Sequence, residues 1–173
     1  MASYLKLFYD SEWTRRLTFS KSDPTIQSEA SYTKNNKINH SELNCDYYIG
    51  VVSALLTLPS IFTTSTKVLI LGLGGGCLAS HILKHYPKVE ITAIEISKSV
   101  ISIAREFFEL PNSDRLKVIQ QDGLEFLKET SESYDAVILD VNSSDKSTAL
   151  ICPAPAFITE EQVAKYWETF DLN

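Results

Sequence analysis

The chain has 173 residues, of which 44% are hydrophobic, 10% aromatic and 22% charged, and its formal net charge at pH 7 is −6. This composition is typical of one globular domain with a sizeable core, and the acidic balance argues against a nucleic-acid surface, which normally carries clustered Lys and Arg. The three cysteines lack metal-site spacing, and no secretory signal or membrane-length apolar run is present. We therefore expect a cytoplasmic protein without a metal and without nucleic-acid or membrane partners.

The first 45 residues are expected to form an extension of the main domain, which would span residues 46–173. Loosely alternating runs at 5–9, 16–19 and 25–30, with a Pro-containing turn at 21–24, predict two short strands paired as an antiparallel β-hairpin. A Ser-, Asn- and Lys-rich stretch at 31–42 is typical of a solvated loop.

The main domain alternates between helical and strand patterns. Ile49, Val52, Leu55 and Leu56 recur at helical spacing and predict the apolar face of a helix that Pro59 ends. Beyond it, apolar runs predict strands at 68–71, 89–95, 116–120 and 136–141, with amphipathic helices between them and a last helix from about residue 159.

Continuous apolar strands that alternate with amphipathic helices predict a doubly wound α/β domain, with a mostly parallel sheet covered on both faces. The last predicted helix leads into no further strand. We therefore also expect the C-terminal strands of this Rossmann-like sheet to be missing from the sequence.

The first buried strand runs into clustered glycines, Gly72-Leu-Gly74-Gly75-Gly76, and the second strand ends at Glu95. Such a loop lets the backbone approach a ligand, and an acidic residue roughly 20 positions later can accept hydrogen bonds from two ribose hydroxyls. A dinucleotide fingerprint needs a sixth-position glycine, where this chain has a cysteine. The spacing is instead typical of folds that bind S-adenosylmethionine.

Two more strands end in acidic residues at the same edge of the predicted sheet. Asp122 and Gly123 follow the third strand, and Asp140 ends the fourth. Because ligands of doubly wound sheets bind outside the carboxyl ends of the strands, we expect Asp122 and Gly123 near the adenine and Asp140 near the sulfonium and an amine acceptor. For Asp122 the alternative, that its carboxylate is simply solvated, has equal weight. For Ile96, stacking on the adenine ring and packing in the core are equally good interpretations.

The remaining polar residues offer no nucleophile. Methyl transfer is an in-line displacement that needs alignment and no covalent intermediate, which agrees with the lack of a convincing Ser-His-Asp or Cys-His set. Cys77 is interpreted as a small residue at a helix start. The polar loop after Asp140 is either a plain turn or a contact with the acceptor; we favour the contact, through Asn142 and Asp145.

Several short motifs occur in the same order as in the spermidine-synthase-like methyltransferases, a branch of the class I S-adenosylmethionine-dependent methyltransferases. They lie at 15–17, 27–30, 45–46, 71–76, 93–95, 113–115, 122–124, 134–135, 139–141 and, most specifically, 152–157. The chain resembles this family over nearly its whole length. The resemblance implies a class I fold with an N-terminal hairpin, S-adenosylmethionine bound by the glycine loop, Glu95 and Asp122, and a catalytic role for Asp140.

The resemblance also implies a substrate. Polyamine synthases typically have Asp-Ser-Ser/Thr-Asp-Pro where this chain has Asp140-Val-Asn-Ser-Ser-Asp-Lys146. This difference weakens the hypothesis that the chain transfers aminopropyl groups. The resemblance therefore implies methylation of a protein amine, the N-terminus or a lysine of translation elongation factor 1-alpha, by a protein that forms homodimers in some relatives. Aminopropyl transfer to a polyamine and an inactive partner-binding domain remain the alternatives.

Overall fold

A computed structural model describes residues 6–11 (backbone only), 13–18, 25–143 and 152–169. The strands are β1 (Lys6–Ser11), β2 (Thr14–Thr18), β3 (Ile26–Ser31), β4 (Thr66–Leu71), β5 (Val89–Glu95), β6 (Leu116–Gln120) and β7 (Ala136–Leu139). The helices are α1 (Asp46–Leu55), α2 (Ser60–Thr63), α3 (Cys77–His85), α4 (Lys98–Phe107), α5 (Gly123–Glu129) and α6 (Glu160–Thr169), with a 3-10 turn at Pro155–Phe157. Within these ranges no helix is long and apolar enough to cross a membrane.

The N-terminal strands form a separate antiparallel sheet in the order β1-β2-β3. The predicted hairpin is present as β2 and β3, but β1 pairs with the other edge of β2, so the sheet has three strands and not two. The turn predicted at 21–24 lies outside the described residues. In the loop that follows, Tyr32 and Ile38 form an isolated antiparallel bridge, and Ile38 is buried.

The second sheet is parallel, in the order β6-β5-β4-β7, and confirms the doubly wound prediction. The chain adds strands on one side of β4 and then returns to its other side, so the strand order reverses between β4 and β7. Alternate residues of β4 enter two different hydrophobic clusters: Val68 and Ile70 join the first, and Leu69 and Leu71 the second. Helices therefore cover both faces of the sheet.

The first helix of the main domain, α1, buries only part of the face that was predicted, with Val52 and Leu55 inside as expected. Tyr48, Val52 and Leu55 are buried, whereas Ile49 is 51% exposed and Leu56 is also exposed. The prediction counted apolar residues and placed Ile49 inward. Tyr48, Val52 and Leu55 recur at i, i+4 and i+7, so the tyrosine completes the stripe that packs on the domain.

Two local interactions fix α3 and α4, the helices before and after β5 in the chain. Ser97 caps α4 by accepting a hydrogen bond from the Val100 N–H at 3.3 Å. The Arg115 guanidinium donates to the carbonyl oxygens of Leu83 (2.7 Å), Tyr86 (3.1 Å) and Val89 (2.9 Å). It thereby satisfies carbonyls at the end of α3 and ties that helix to the start of β5.

Candidate functional site

The carboxyl ends of all four parallel strands meet at one cleft of about 210 Å³. Most of the residues predicted for the site line this cleft: Gly72, Gly74, Glu95, Ile96, Asp122, Gly123, Asp140 and Asn142. The cleft lies where the strand order reverses, which is the position expected for a ligand in a doubly wound sheet.

The predicted glycines divide into two groups. Gly72 has φ +94° and Gly74 has φ +54°, and both line the cleft. A Cβ atom at Gly72 would lie 2.2 Å from the Asp140 carbonyl oxygen, so this position needs glycine to let the loop pass against the end of β7. Gly75 and Gly76 belong to the same loop but do not line the cleft. The Gly75 N–H donates to Ser28 Oγ at 2.8 Å, and Gly76 precedes the first residue of α3.

Glu95 connects the glycine loop to the next helix. Its Oε2 accepts from the Leu73 N–H at 3.1 Å and its Oε1 accepts from the Ser97 N–H at 2.9 Å. The carboxylate is half-buried at the end of β5 and keeps further lone pairs on the cleft side. The next residue, Ile96, is 65% exposed, so the core-packing alternative for it is wrong and its apolar side chain lines the cleft.

Asp122 has a structural partner in addition to its place in the cleft. It is the N-cap of α5, and its Oδ1 accepts from the Leu124 N–H at 2.8 Å and the Glu125 N–H at 3.4 Å. The carboxylate is therefore not merely solvated, because it satisfies the first free N–H groups of a helix. Gly123 follows it, packed closely against the Phe157 ring.

Asp140 follows β7 directly and is a half-buried carboxylate of the cleft. Its N–H donates to the Leu71 carbonyl at 2.8 Å, its Oδ2 accepts from the Tyr48 hydroxyl at 2.9 Å, and its Oδ1 lies 4.0 Å from Cys152 Sγ. Burial raises the pKa of Asp140 above its ordinary value; the Tyr48 hydrogen bond lowers it, and the nearby Glu95 carboxylate raises it further.

The polar loop after Asp140 reaches the N-terminal sheet. The Asn142 amide donates to Gln27 Oε1 at 2.5 Å, across the cleft that both residues line. The other predicted substrate residue, Asp145, lies outside the described residues.

Sequence reasoning missed several residues of the site, among them Gln27, Phe157 and Tyr48. Gln27 and Phe157 stand inside motifs shared with the related family, which was the available signal, but neither carries chemistry that a local pattern would single out. The two adjacent tyrosines, Tyr47 and Tyr48, open α1, and core packing is the ordinary role of at least one such residue. Tyr48 is buried in that way, yet its hydroxyl also bonds Asp140, 92 residues away in the sequence.

The interpretation of Cys77 agrees with the structure. The side chain is buried at the first position of α3, and burial raises the pKa of its thiol to about 12. A thiol in that state packs and does not act as a nucleophile at neutral pH.

The parallel sheet, the glycine loop at its switch point and the acidic strand ends together define a Rossmann-like fold of the class I methyltransferase type. Residues 23–163 match the spermine/spermidine synthase domain, and the chain belongs to this family. The family and the fold class predicted from the sequence are thereby confirmed.

Relatives and solved structures of this family include methyltransferases. The eEF1A lysine and N-terminal methyltransferase of Bos taurus is 35% identical over 131 residues, which cover 71% of this chain and 19% of that protein. The Homo sapiens protein of the same name is 29% identical over 160 residues, 87% of this chain and 23% of that protein. The chain thus spans about a fifth of the length of these curated relatives.

Two solved structures agree with the fold. The crystal structure of human methyltransferase-like protein 13 in complex with SAH has a TM-score of 0.67 at 30% identity and covers 73% of this chain and 60% of that one. A probable spermidine synthase from Corynebacterium glutamicum has a TM-score of 0.78 at 17% identity, covering 96% and 57% of the two chains, and shows the same fold.

Proposed function

We propose that this chain is an S-adenosylmethionine-dependent methyltransferase that methylates an amine of a protein substrate. The observation that carries the proposal is the convergence of the glycine loop, Glu95, Asp122 and Asp140 on one cleft. Its support from comparison is the 30% identity to a methyltransferase solved in complex with SAH.

The chemistry of the cleft fits S-adenosylmethionine. Gly72 and Gly74 line it without side chains and leave room for the amino-acid end of the cofactor. Glu95 retains acceptor capacity for the two ribose hydroxyls beyond its backbone hydrogen bonds, and the exposed Ile96 offers an apolar surface to the adenine ring. Asp122 and Gly123 would lie along the adenine edge.

S-adenosylmethionine, when bound, supplies an electrophilic methyl group on a sulfonium, and the side chains of the cleft align the acceptor. The Asp140 carboxylate accepts a hydrogen bond from the acceptor amine and holds its nitrogen in line. Its burial keeps competing water away and strengthens that hydrogen bond. Asn142, on the following loop, is the second polar group beside the acceptor.

The substrate we propose is the N-terminus or a lysine of elongation factor 1-alpha. Two observations support it: the names of the relatives that are 29% and 35% identical, and the acidic character of the chain, which favours a basic amine-bearing segment. Aminopropyl transfer is the second candidate. It is favoured by the family match and by a polyamine aminopropyltransferase of Neisseria meningitidis that is 29% identical over 133 residues, 76% of this chain and 49% of that protein.

Two measurements test the proposed activity. Methyl transfer from labelled S-adenosylmethionine is compared for elongation factor 1-alpha, an N-terminally blocked form of it, putrescine and RNA. We expect label on the elongation factor only, and loss of label on blocking identifies the terminal amine as the acceptor. Calorimetric titration with S-adenosylhomocysteine and with decarboxylated S-adenosylmethionine is the second measurement. A clear preference for the decarboxylated form, together with formation of spermidine from putrescine and release of methylthioadenosine, would establish aminopropyl transfer instead.

A further inference from the structure

We infer that His40 and His81 form a pH-dependent contact that connects the loop at 32–44 to α3 and to the turn after α4, and that holds the glycine loop in place. Neither residue lines the cleft, and the proposed chemistry uses neither side chain. The effect of this contact on cofactor binding rests on the proposed function, whereas its effect on the structure of the glycine loop does not.

Two hydrogen bonds make the contact. His81, on α3, has its Nδ1 3.1 Å from the carbonyl oxygen of His40. His40 in turn has its Nε2 3.2 Å from the carbonyl oxygen of Glu109. Because a carbonyl oxygen can only accept, each of these ring nitrogens carries the proton and donates. The two neutral rings are therefore opposite tautomers, with the proton on Nδ1 in His81 and on Nε2 in His40.

The elements joined in this way adjoin the glycine loop. The helix that carries His81, α3, begins at Cys77 immediately after Gly76. The turn that contains Glu109 continues into Leu110, which is buried, and a Cβ atom at Gly76 would lie 2.5 Å from Leu110 Cδ1. Leu110 therefore packs directly on the loop. The contact fixes both the helix that follows the glycine loop and the turn that packs on it.

A positive charge on either ring is unfavourable at this place. Both side chains are half-buried, and burial is the largest cause that lowers the pKa of His40 and of His81. The Lys84 ammonium repels a charge on both rings, and His85, whose ring centroid is 4.5 Å from that of His81, repels a charge on His81. The carbonyl and carboxylate of Glu109 favour a charge on His40, and the His40 carbonyl favours one on His81, but burial outweighs them.

Protonation therefore weakens the contact, although the donating nitrogens keep their protons. Because both native pKa values lie below the ordinary histidine value of 6.5, the stability from these residues is complete above pH 6.5 and is lost as pH falls through the native values. The Lys37–Glu109 ion pair, at 3.6 Å, is exposed and adds little to the connection. We expect the loop at 32–44 and the glycine loop to lose protection together on mild acidification.

The first test measures the two rings directly. The ring ¹⁵N and ¹H signals of the three histidines are followed by NMR between pH 8 and pH 4.5 in the full 173-residue chain, with His40→Gln, His81→Asn and His85→Gln for assignment. We expect the proton of His81 on Nδ1 and that of His40 on Nε2 at pH 8, and titration of both rings below pH 6.5. The other tautomer at either ring, or titration of either at or above pH 6.5, would overturn the inference.

The second test measures the glycine loop by amide exchange. We expect the protection factors at 73–76 and 38–42 to fall about 10-fold between pH 7.5 and pH 5.5, which corresponds to one pKa unit summed over the two rings. His40→Gln and His81→Asn each keep an amide N–H near the position of the donating nitrogen and do not titrate in this range. In the double variant the fall should be largely absent.

His85→Gln is the matched control, because its exposed ring makes neither of the two hydrogen bonds. The fall in protection should persist in this variant. A fall in the double variant as large as in the unmodified protein would show that the two rings do not control the glycine loop.

Calorimetry separates this inference from the proposed function. The affinity for S-adenosylhomocysteine should be about 5-fold lower at pH 5.5 than at pH 7.5 in the unmodified protein and nearly the same at both in the double variant. The same pH dependence in both proteins would overturn the inferred effect on the cofactor site. If the protein binds no S-adenosylhomocysteine at either pH, the proposed function fails, whereas the tautomers and the protection factors still decide the inference.

Discussion

Among single residues, Glu95 has a structural role beside the ribose binding that we propose for it. Its position at the end of β5 suggested ribose binding, but its oxygens also accept hydrogen bonds from the Leu73 and Ser97 N–H groups. These bonds hold the glycine loop in place. The ligand binding proposed for Glu95 and the geometry of the loop would therefore depend on the same carboxylate.

Replacement of Glu95 should weaken cofactor binding. We expect Glu95→Ala to lower the affinity for S-adenosylhomocysteine roughly 10- to 100-fold, since charge-assisted hydrogen bonds are lost. Isothermal titration calorimetry measures the change. Glu90→Ala is the matched control, because this carboxylate lies on the same strand, is exposed and accepts from Ser65 Oγ away from the cleft. Equal affinity in both variants would remove Glu95 from the cofactor site.

Replacement of Asp140 should lower the activity of the protein but raise its stability at neutral pH. Asp140→Asn keeps the shape but not the charge, so we expect kcat to fall about 100-fold with little change in cofactor affinity. Because the native state raises the pKa of Asp140, the native carboxyl binds its proton more tightly than the unfolded one does. The stability from this group is complete below the unfolded pKa and is lost as pH rises through the higher native pKa.

The raised pKa of Asp140 also predicts how the stability of the Asp140→Asn variant depends on pH. At pH 7 the free energy of unfolding of Asp140→Asn should exceed that of the unmodified protein by on the order of 1 kcal/mol, since the variant buries no charge. Urea unfolding between pH 4 and pH 7 tests this. The difference between variant and unmodified protein should grow with pH; a constant difference would show that the ionisation of Asp140 is not its cause.

At the scale of secondary-structure elements, the glycine loop joins β4 to α3 and also lies against the end of β7. Gly72 is the point of contact, since a Cβ there would meet the Asp140 carbonyl carbon at 2.8 Å as well as its oxygen. The left-handed φ of Gly72 adds a second reason for glycine. The loop is therefore a junction between neighbouring strands and not only a ligand cradle.

Alanine at two glycines should have opposite effects. We expect Gly72→Ala to lower the free energy of unfolding by on the order of 3 kcal/mol, through backbone strain and the clash with the end of β7. Gly50→Ala is the control: this glycine lies inside α1 with no atom within 4 Å of the added Cβ, and we expect a gain of about 0.5–1 kcal/mol. Chemical unfolding measures both. A tolerated Gly72→Ala would contradict the close approach of loop and strand.

At the scale of the whole molecule, the N-terminal sheet is an integral part of the domain. Leu17, Ala30 and Ile38 belong to the same hydrophobic cluster as the helices α1 and α3. The sheet also reaches the functional cleft, where Ser28 bonds the Gly75 N–H and Gln27 bonds Asn142. We therefore expect the sheet and the glycine loop to lose structure together.

The Ser28 contact offers a test of that coupling. Ser28→Ala leaves the buried Gly75 N–H without its acceptor, and we expect a loss of roughly 1–3 kcal/mol with faster amide exchange in both β3 and the glycine loop. Ser102→Ala is the control, since its hydroxyl donates to the Lys98 carbonyl within the exposed face of α4. Faster exchange confined to β3 would show that the two regions open independently.

The sequence alone determined the elements and the ligand-facing edge of this protein. The second and third strands of the parallel sheet begin and end at the predicted residues. The second is mostly buried and apolar, which is the pattern of an interior parallel strand. The glycines and Glu95 were identifiable because the turn geometry and the strand end impose local residue requirements.

Only the tertiary structure decided which distant side chains complete the cleft. Tyr48 and Asp140 are 92 residues apart, Gln27 and Asn142 are 115 apart, and Ser28 and Gly75 are 47 apart. No periodicity links such pairs, since each is brought together by the docking of one element on another. The outward position of Ile49 has the same origin: α1 turns its tyrosine toward Asp140, and the buried face follows from that contact. Local sequence patterns were therefore enough to predict the strand ends, whereas the packing of distant elements determines which side chains surround them.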